Sequence, residues 1–141
     1  DALLSIGKHA EAVADYEKSL KIDPKDTGVL NNLAWVLATS THDNVRDAKK
    51  AIEYGKQACE LTEYNKPHIL STLASGYAEA GDFENAIKWS TKAVELGKGT
   101  ENDDQLHKEL EGYKEKKPWR EEQIIEENKA PLEPGKDDLE T

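Results

Sequence analysis

Residues 67–96, PHILSTLASGYAEAGDFENAIKWSTKAVEL, lay out a helix, a Gly-Asp step and a second helix, with small residues where the two must touch. Leu70, Leu73, Ala74 and Tyr77 follow the i, i+3, i+4, i+7 spacing of one helical face, and Phe83, Ala86, Ile87, Ala93 and Val94 supply a second. Between them, Gly81 can take the left-handed conformation that ends a helix. The Asp82 carboxylate can accept the orphan amide hydrogens that begin the next one. The stretch therefore predicts an antiparallel helical hairpin. Ala74 and Ala86 lack bulk, so the two backbones can approach closely, and a larger residue at either would overpack the seam.

The pattern recurs upstream. Gly7, Ala12, Tyr16 and Leu20 map onto Gly81, Ala86, Ser90 and Val94 at a constant offset of 74, and Leu30, Leu33, Ala34 and Leu37 precede Leu70, Leu73, Ala74 and Tyr77 by 40. The second helices are spaced differently: Ala12 to Ala51 is 39 residues and Ala51 to Ala86 is 35. The middle unit thus carries about six residues beyond a 34-residue period, most of them in an elongated turn from Ser40 to Arg46. Asp26 or Thr27 caps the helix before that turn, and Asp47 caps the one after it. Gly55 interrupts this latter helix at a cost of about 1 kcal/mol relative to Ala, which lets a neighbouring helix approach. Before Gly7 stands only the end of a first helix, with Leu3, Leu4 and Ile6. After Leu96 a further helix begins at Thr100 or Asn102, with Leu106, Leu110 and Tyr113 on its apolar face and Lys114, Lys116 and Lys117 at its end, as the helix dipole favours. Pro118 ends it, and Trp119 is expected to fold back on it. Five full helices after a short first one, and no strand, are the expectation.

Composition limits what such hairpins can build. With 141 residues the chain is one domain, and with 36% apolar residues against 34% charged its core must be thin and rich in Ala and Leu. Cys59 is the only cysteine, so no internal disulfide forms, and no apolar run is long enough for a signal peptide or a membrane span. A cytoplasmic address is the default. The chain contains no Met and opens directly into an apolar helical pattern, which reads as a fragment of a longer protein. Its net charge of -10 is concentrated in residues 121–141, which hold eight acidic and two basic residues. That tail, with the Ile124-Ile125 pair its main apolar feature, is expected to remain disordered. So acidic a surface argues against nucleic-acid binding, which needs clustered Lys and Arg.

Leu70-x2-Leu73-Ala74-x2-Tyr77-x3-Gly81-x-Phe83-x2-Ala86, then Ala93, with Gly7-x4-Ala12-x3-Tyr16-x7-Pro24 earlier, resembles the tetratricopeptide repeat family over residues 1–97. The long-turn unit, together with LHKELEGYKEKKPWRE, resembles a bacterial subgroup whose repeats often close a larger multidomain protein. Two positions depart from the family pattern: Lys98 stands where a unit usually ends in Pro, and Gly55 replaces an aromatic or Ser. The resemblance implies an all-α, right-handed superhelical stack of antiparallel hairpins, an α-solenoid with a C-terminal capping helix. Its divisions are a partial first repeat (1–24), a second repeat with the long turn (25–66), a third repeat (67–97), a capping helix with its Pro-Trp segment (98–120) and the acidic tail (121–141).

The resemblance also implies a concave face, lined by first helices, that binds a partner protein or peptide. Carried over position by position, that face presents Gly28, Asn31, Asn32, Trp35 and Thr39, then His68, Ser71, Thr72, Ser75 and Glu79. Asn side chains can hold an extended backbone, and Trp35 either anchors a ligand or packs against the next hairpin. A subtype of the family clamps the terminal carboxylate of chaperone peptides with Lys, Arg and Asn. Here only Asn32 matches, while His68 and Thr72 replace two basic residues, so that clamp is absent. The alternative to partner binding is a structural, self-assembling or spacer module attached to an upstream catalytic domain.

Signs of catalysis are lacking. His9, His42, His68 and His107 have no ligand-spaced partner, and neither a phosphate loop nor a nucleophile elbow occurs, so no enzyme, metal site or cofactor is expected. His42-Asp43 reads as a solvated loop, Cys59 as a small core residue, and Trp89 as packed on the outer helix layer. The truncated N-terminal edge would leave Leu3, Leu4, Ile6, Val13, Tyr16 and Leu20 as an apolar patch, which either frays over residues 1–6 or pairs with another copy as a homo-oligomer.

Overall fold

The computed structural model describes residues 2–120, with side chains from Gly7 onward. The expectations for the tail at 121–141, for Ile124-Ile125 and for the side chains of Leu3, Leu4 and Ile6 lie outside the described residues. Six helices and no strand occur among those described: α1 (Ala2–Ile22), α2 (Thr27–Thr39), α3 (Ala48–Leu61), α4 (Pro67–Glu79), α5 (Phe83–Leu96) and α6 (Asp103–Lys114).

Asp side chains begin three of these helices. Asp26 accepts from the amide of Val29, Asp47 from that of Lys50 and Asp82 from that of Asn85, which satisfies donors that a helix leaves orphaned at its start. The Asn85 side chain also donates to Asp82, and these bonds hold the Asp82 carboxyl below its usual range. Gly81, at φ 84°, supplies the left-handed residue between α4 and α5. Gly7 makes no corresponding turn, and α1 runs through it unbroken, contrary to the short first helix that the sequence repeat suggests. The difference lies in the following residue. Asp82 has an acceptor to start a helix, whereas Lys8 has only donors.

Each helix packs on the next, and α2 also touches α4. The hairpins α2–α3 and α4–α5 are thus stacked, with first helices side by side in one layer. Leu33, Leu37, Ala38 and Ala51 form one core cluster, joined by Val13, Tyr16 and Leu20 of α1. These three α1 side chains are half-buried against α2 and α3 and do not form the open patch expected from the sequence. A second cluster of Leu30, Ala58, Cys59, Leu70, Leu73 and Leu106 ties both hairpins to α6. The third holds Ala74 and Ala86, both fully buried at the α4–α5 seam, with Tyr113 and Trp119 packed against it.

Glycine sets the distance between α3 and α4. A methyl group on Gly55 would stand 3.3 Å from the Leu73 Cα, and one on Gly76 would stand 3.3 Å from the Ile52 backbone nitrogen. At the outer layer Trp89 stacks on Tyr64 with ring centroids 5.2 Å apart. No helix among the described residues is long and apolar enough to cross a membrane.

Candidate functional site

A cleft of about 250 Å³ opens where α2, α4 and α6 meet. From α2 it takes Asn31, Asn32 and Trp35, which follow one another at i, i+1 and i+4 and so share a face. From α4 it takes His68, Ser71 and Thr72, at i, i+3 and i+4 and so also on one face. Because α2 and α4 lie side by side, these two triplets form adjoining walls. The third wall comes from α6 and the N-cap residue before it: Asn102, Gln105, Leu106 and Glu109, at i, i+3, i+4 and i+7.

Glu109 is the chemical centre of that wall. It is 1% exposed and accepts a hydrogen bond from the Ser71 hydroxyl at 2.5 Å and another from the Gln105 amide at 2.9 Å. The shorter distance is typical of a hydroxyl donating to a charged carboxylate. Burial, and then the neighbouring Glu109, push the Tyr113 phenol well above its ordinary range. On α2, the Asn31 side-chain oxygen is buried with no donor among the described residues. His68 is exposed at the mouth, where partial desolvation and then Lys66 lower its pKa and favour the neutral ring.

Six of the sequence-derived face residues therefore come together: Asn31, Asn32, Trp35, His68, Ser71 and Thr72. The others do not line the cleft. Gly28 lies exposed in the first turn of α2. Thr39 is fully buried and donates to the Trp35 carbonyl, and Ser75 is buried and donates to the Thr72 carbonyl. Glu79 is bound to Arg46 of the long turn at 3.1 Å and to Arg120 at 2.7 Å. Short hydroxyl side chains on helices commonly turn back to a preceding carbonyl in this way.

The α6 contribution was missed because Leu106, Leu110 and Tyr113 read as a simple covering face. The available signal was Glu109, which occupies the i+3 position of an i, i+3, i+4, i+7 stripe that is otherwise apolar.

The long turn also differs from a solvated loop. His42 is half-buried, edge-on to the buried His9 with ring centroids 4.8 Å apart, and His9 bonds to the Ser40 hydroxyl at 2.8 Å. Arg46 ties the turn together through Asp43 and the Ser40 carbonyl. Cys59 is buried, and burial pushes its thiol up to about 12, which makes it unreactive.

A family model described as tetratricopeptide repeat matches residues 1–26, the stretch that forms α1 and the turn after it. No curated protein matches the chain.

Proposed function

We propose that the chain, which is similar to tetratricopeptide repeat proteins in its match over residues 1–26 and in its stacked helix hairpins, receives a segment of a partner protein in its α2–α4–α6 cleft. Repeats of this family generally mediate protein–protein interaction and are typically non-catalytic scaffolds. In this reading residues 25–66 and 67–97 act as the two complete repeats, and 98–120 closes the array. The observation that supports it is the convergence of Asn31, Asn32 and Trp35 with His68, Ser71 and Thr72 on one polar cleft with an aromatic wall. Amide side chains recognise peptide groups through paired donor and acceptor bonds, and a half-buried Trp provides apolar contact area for a bound segment.

Selection of random peptides displayed on phage against the immobilised chain tests the proposal. Bound peptides should be released by mutation to Trp35→Ala and weakened at least tenfold by Asn31→Ala, with the helical circular-dichroism spectrum retained. Peptides that bind both variants as tightly as the parent chain would place the partner site elsewhere.

A further inference from the structure

We propose that the cleft holds its partner segment only while the His68 ring is neutral, so that mild acid releases the segment; this inference rests on the reading of the cleft as the partner site and adds its regulation. Position comes first. His68 stands in the first turn of α4, on the face it shares with Ser71 and Thr72, and is exposed at the mouth of a cleft of about 250 Å³. Pockets for whole small ligands begin at roughly 300 Å³, so a partner segment lies across this smaller mouth and strips water from the ring.

Charge comes next. Of the ten lining residues two titrate, His68 and Glu109. From α2 the ring is faced only by amides and the Trp35 indole, and from the α6 side by amides and Leu106 beside the Glu109 carboxylate. Lys66 precedes α4 as its N-cap residue, two positions before His68. Glu109 is bonded to Ser71 and Gln105, and the charge that acts on the ring is that of Lys66: partial burial first, and then this cation, hold His68 below its ordinary 6.5. Covering the mouth deepens the desolvation and leaves Lys66 in place, and both disfavour an imidazolium. The neutral ring also offers one acceptor nitrogen beside its donor, as a peptide group requires, and protonation converts that acceptor into a second donor. The bound chain therefore takes up a proton less readily than the free chain. By linkage, affinity is full above the free-chain pKa and falls as pH drops through it, by up to about tenfold per pH unit.

The test uses the full chain and a displayed library built without Asp, Glu and His. Selected peptides that need Trp35, resynthesised with blocked ends, then carry no group of their own that titrates between about pH 5 and about pH 8. Calorimetry should show binding weaker by about threefold or more at about pH 5 than at about pH 7.5, with the helical circular-dichroism spectrum retained. His68→Gln should lose this pH dependence, whatever its affinity, and His68→Lys, with a permanent charge, should bind weakly at both pH values. Residue 68 is exposed, so both variants should fold. Nuclear magnetic resonance titration of the ring needs no peptide for its first reading: the free-chain His68 should titrate below 6.5, and bound peptide should lower it further. A free-chain value above 6.5, tighter binding in acid, or a decline that survives in His68→Gln and so belongs to Glu109 or another histidine, would overturn the inference. Peptides that need Trp35 yet bind equally at both pH values would sink it while leaving the partner site in place. Peptides that ignore Trp35 would remove the partner site itself, and the inference with it.

Discussion

Removing the carboxylate of Glu79 would leave two guanidinium groups, those of Arg46 and Arg120, without their shared acceptor. The Arg46 and Glu79 side chains are only 12% and 18% exposed, so their attraction is weakly screened. Glu79→Ala should lower the unfolding free energy by about 1.5–3 kcal/mol, as for hydrogen bonds to charged groups, measured by urea titration. An unchanged midpoint would mean that the pairs count for no more than surface bridges. Cys59 gives a pH dependence of known sign. Its thiol rises from an ordinary 9.0 to about 12 on folding, so above pH 9.0 the unfolded chain releases a proton that the folded chain keeps. Stability is then full below pH 9.0 and falls progressively toward about 12. Burial raises Tyr113 and Tyr16 in the same direction. Cys59→Ala should show a shallower alkaline decline, even though its cavity lowers stability at neutral pH. With His68 and Thr72 where the carboxylate clamp needs cations and Glu109 in the wall, peptides ending in Glu-Glu-Val-Asp should show no measurable affinity at physiological salt. Micromolar binding in a calorimeter would contradict this.

Helix ends and helix spacing are where the elements can be tuned. Lys116 closes α6 at φ 62° in a Schellman arrangement, with the Lys117 amide bonded to the Gly112 carbonyl and the Lys116 amide to that of Tyr113. A left-handed non-glycine residue costs about 1 kcal/mol, so Lys116→Gly should stabilise the chain by about that amount in thermal or urea unfolding. Gly55→Leu should do the reverse, by roughly 1–3 kcal/mol or more, because Leu73 of α4 occupies the space. Much of this was legible from residues alone. Asp26, Asp47 and Asp82 announce their helices, Gly81 its turn, and Gly55 a close approach, because each effect is local or needs only one neighbour. The continuity of α1 was not legible from glycine spacing, since the missing ingredient was an acceptor at position 8. Nor was the burial of Thr39 and Ser75, which periodicity assigns to a face without saying how deep it lies. The α6 wall depended on Glu109 meeting Ser71, a contact 38 residues away in sequence.

At the scale of the molecule, each helix leans chiefly on its neighbours, and α4 leans on three: α2, α3 and α5. Nine of the thirteen residues of α4 are buried. Amide hydrogen exchange should therefore be slowest in α4 and faster in α1, which contacts chiefly α2. Uniform protection along the chain would refute that ordering.

Helical arrays whose units touch only adjacent units can melt piecemeal, since losing one end leaves the other nearly intact. Glu79 works against that. It joins a turn lying between α2 and α3 to a residue that follows α6, so the two ends of the α2–α6 stack share one ionic knot on α4. Displacing the segment at Arg120 loosens the turn at Arg46, and the reverse holds equally. Cooperativity that nearest-neighbour packing would leave partial is thereby extended across both hairpins, and with it the cleft, whose three walls then stand or fall together.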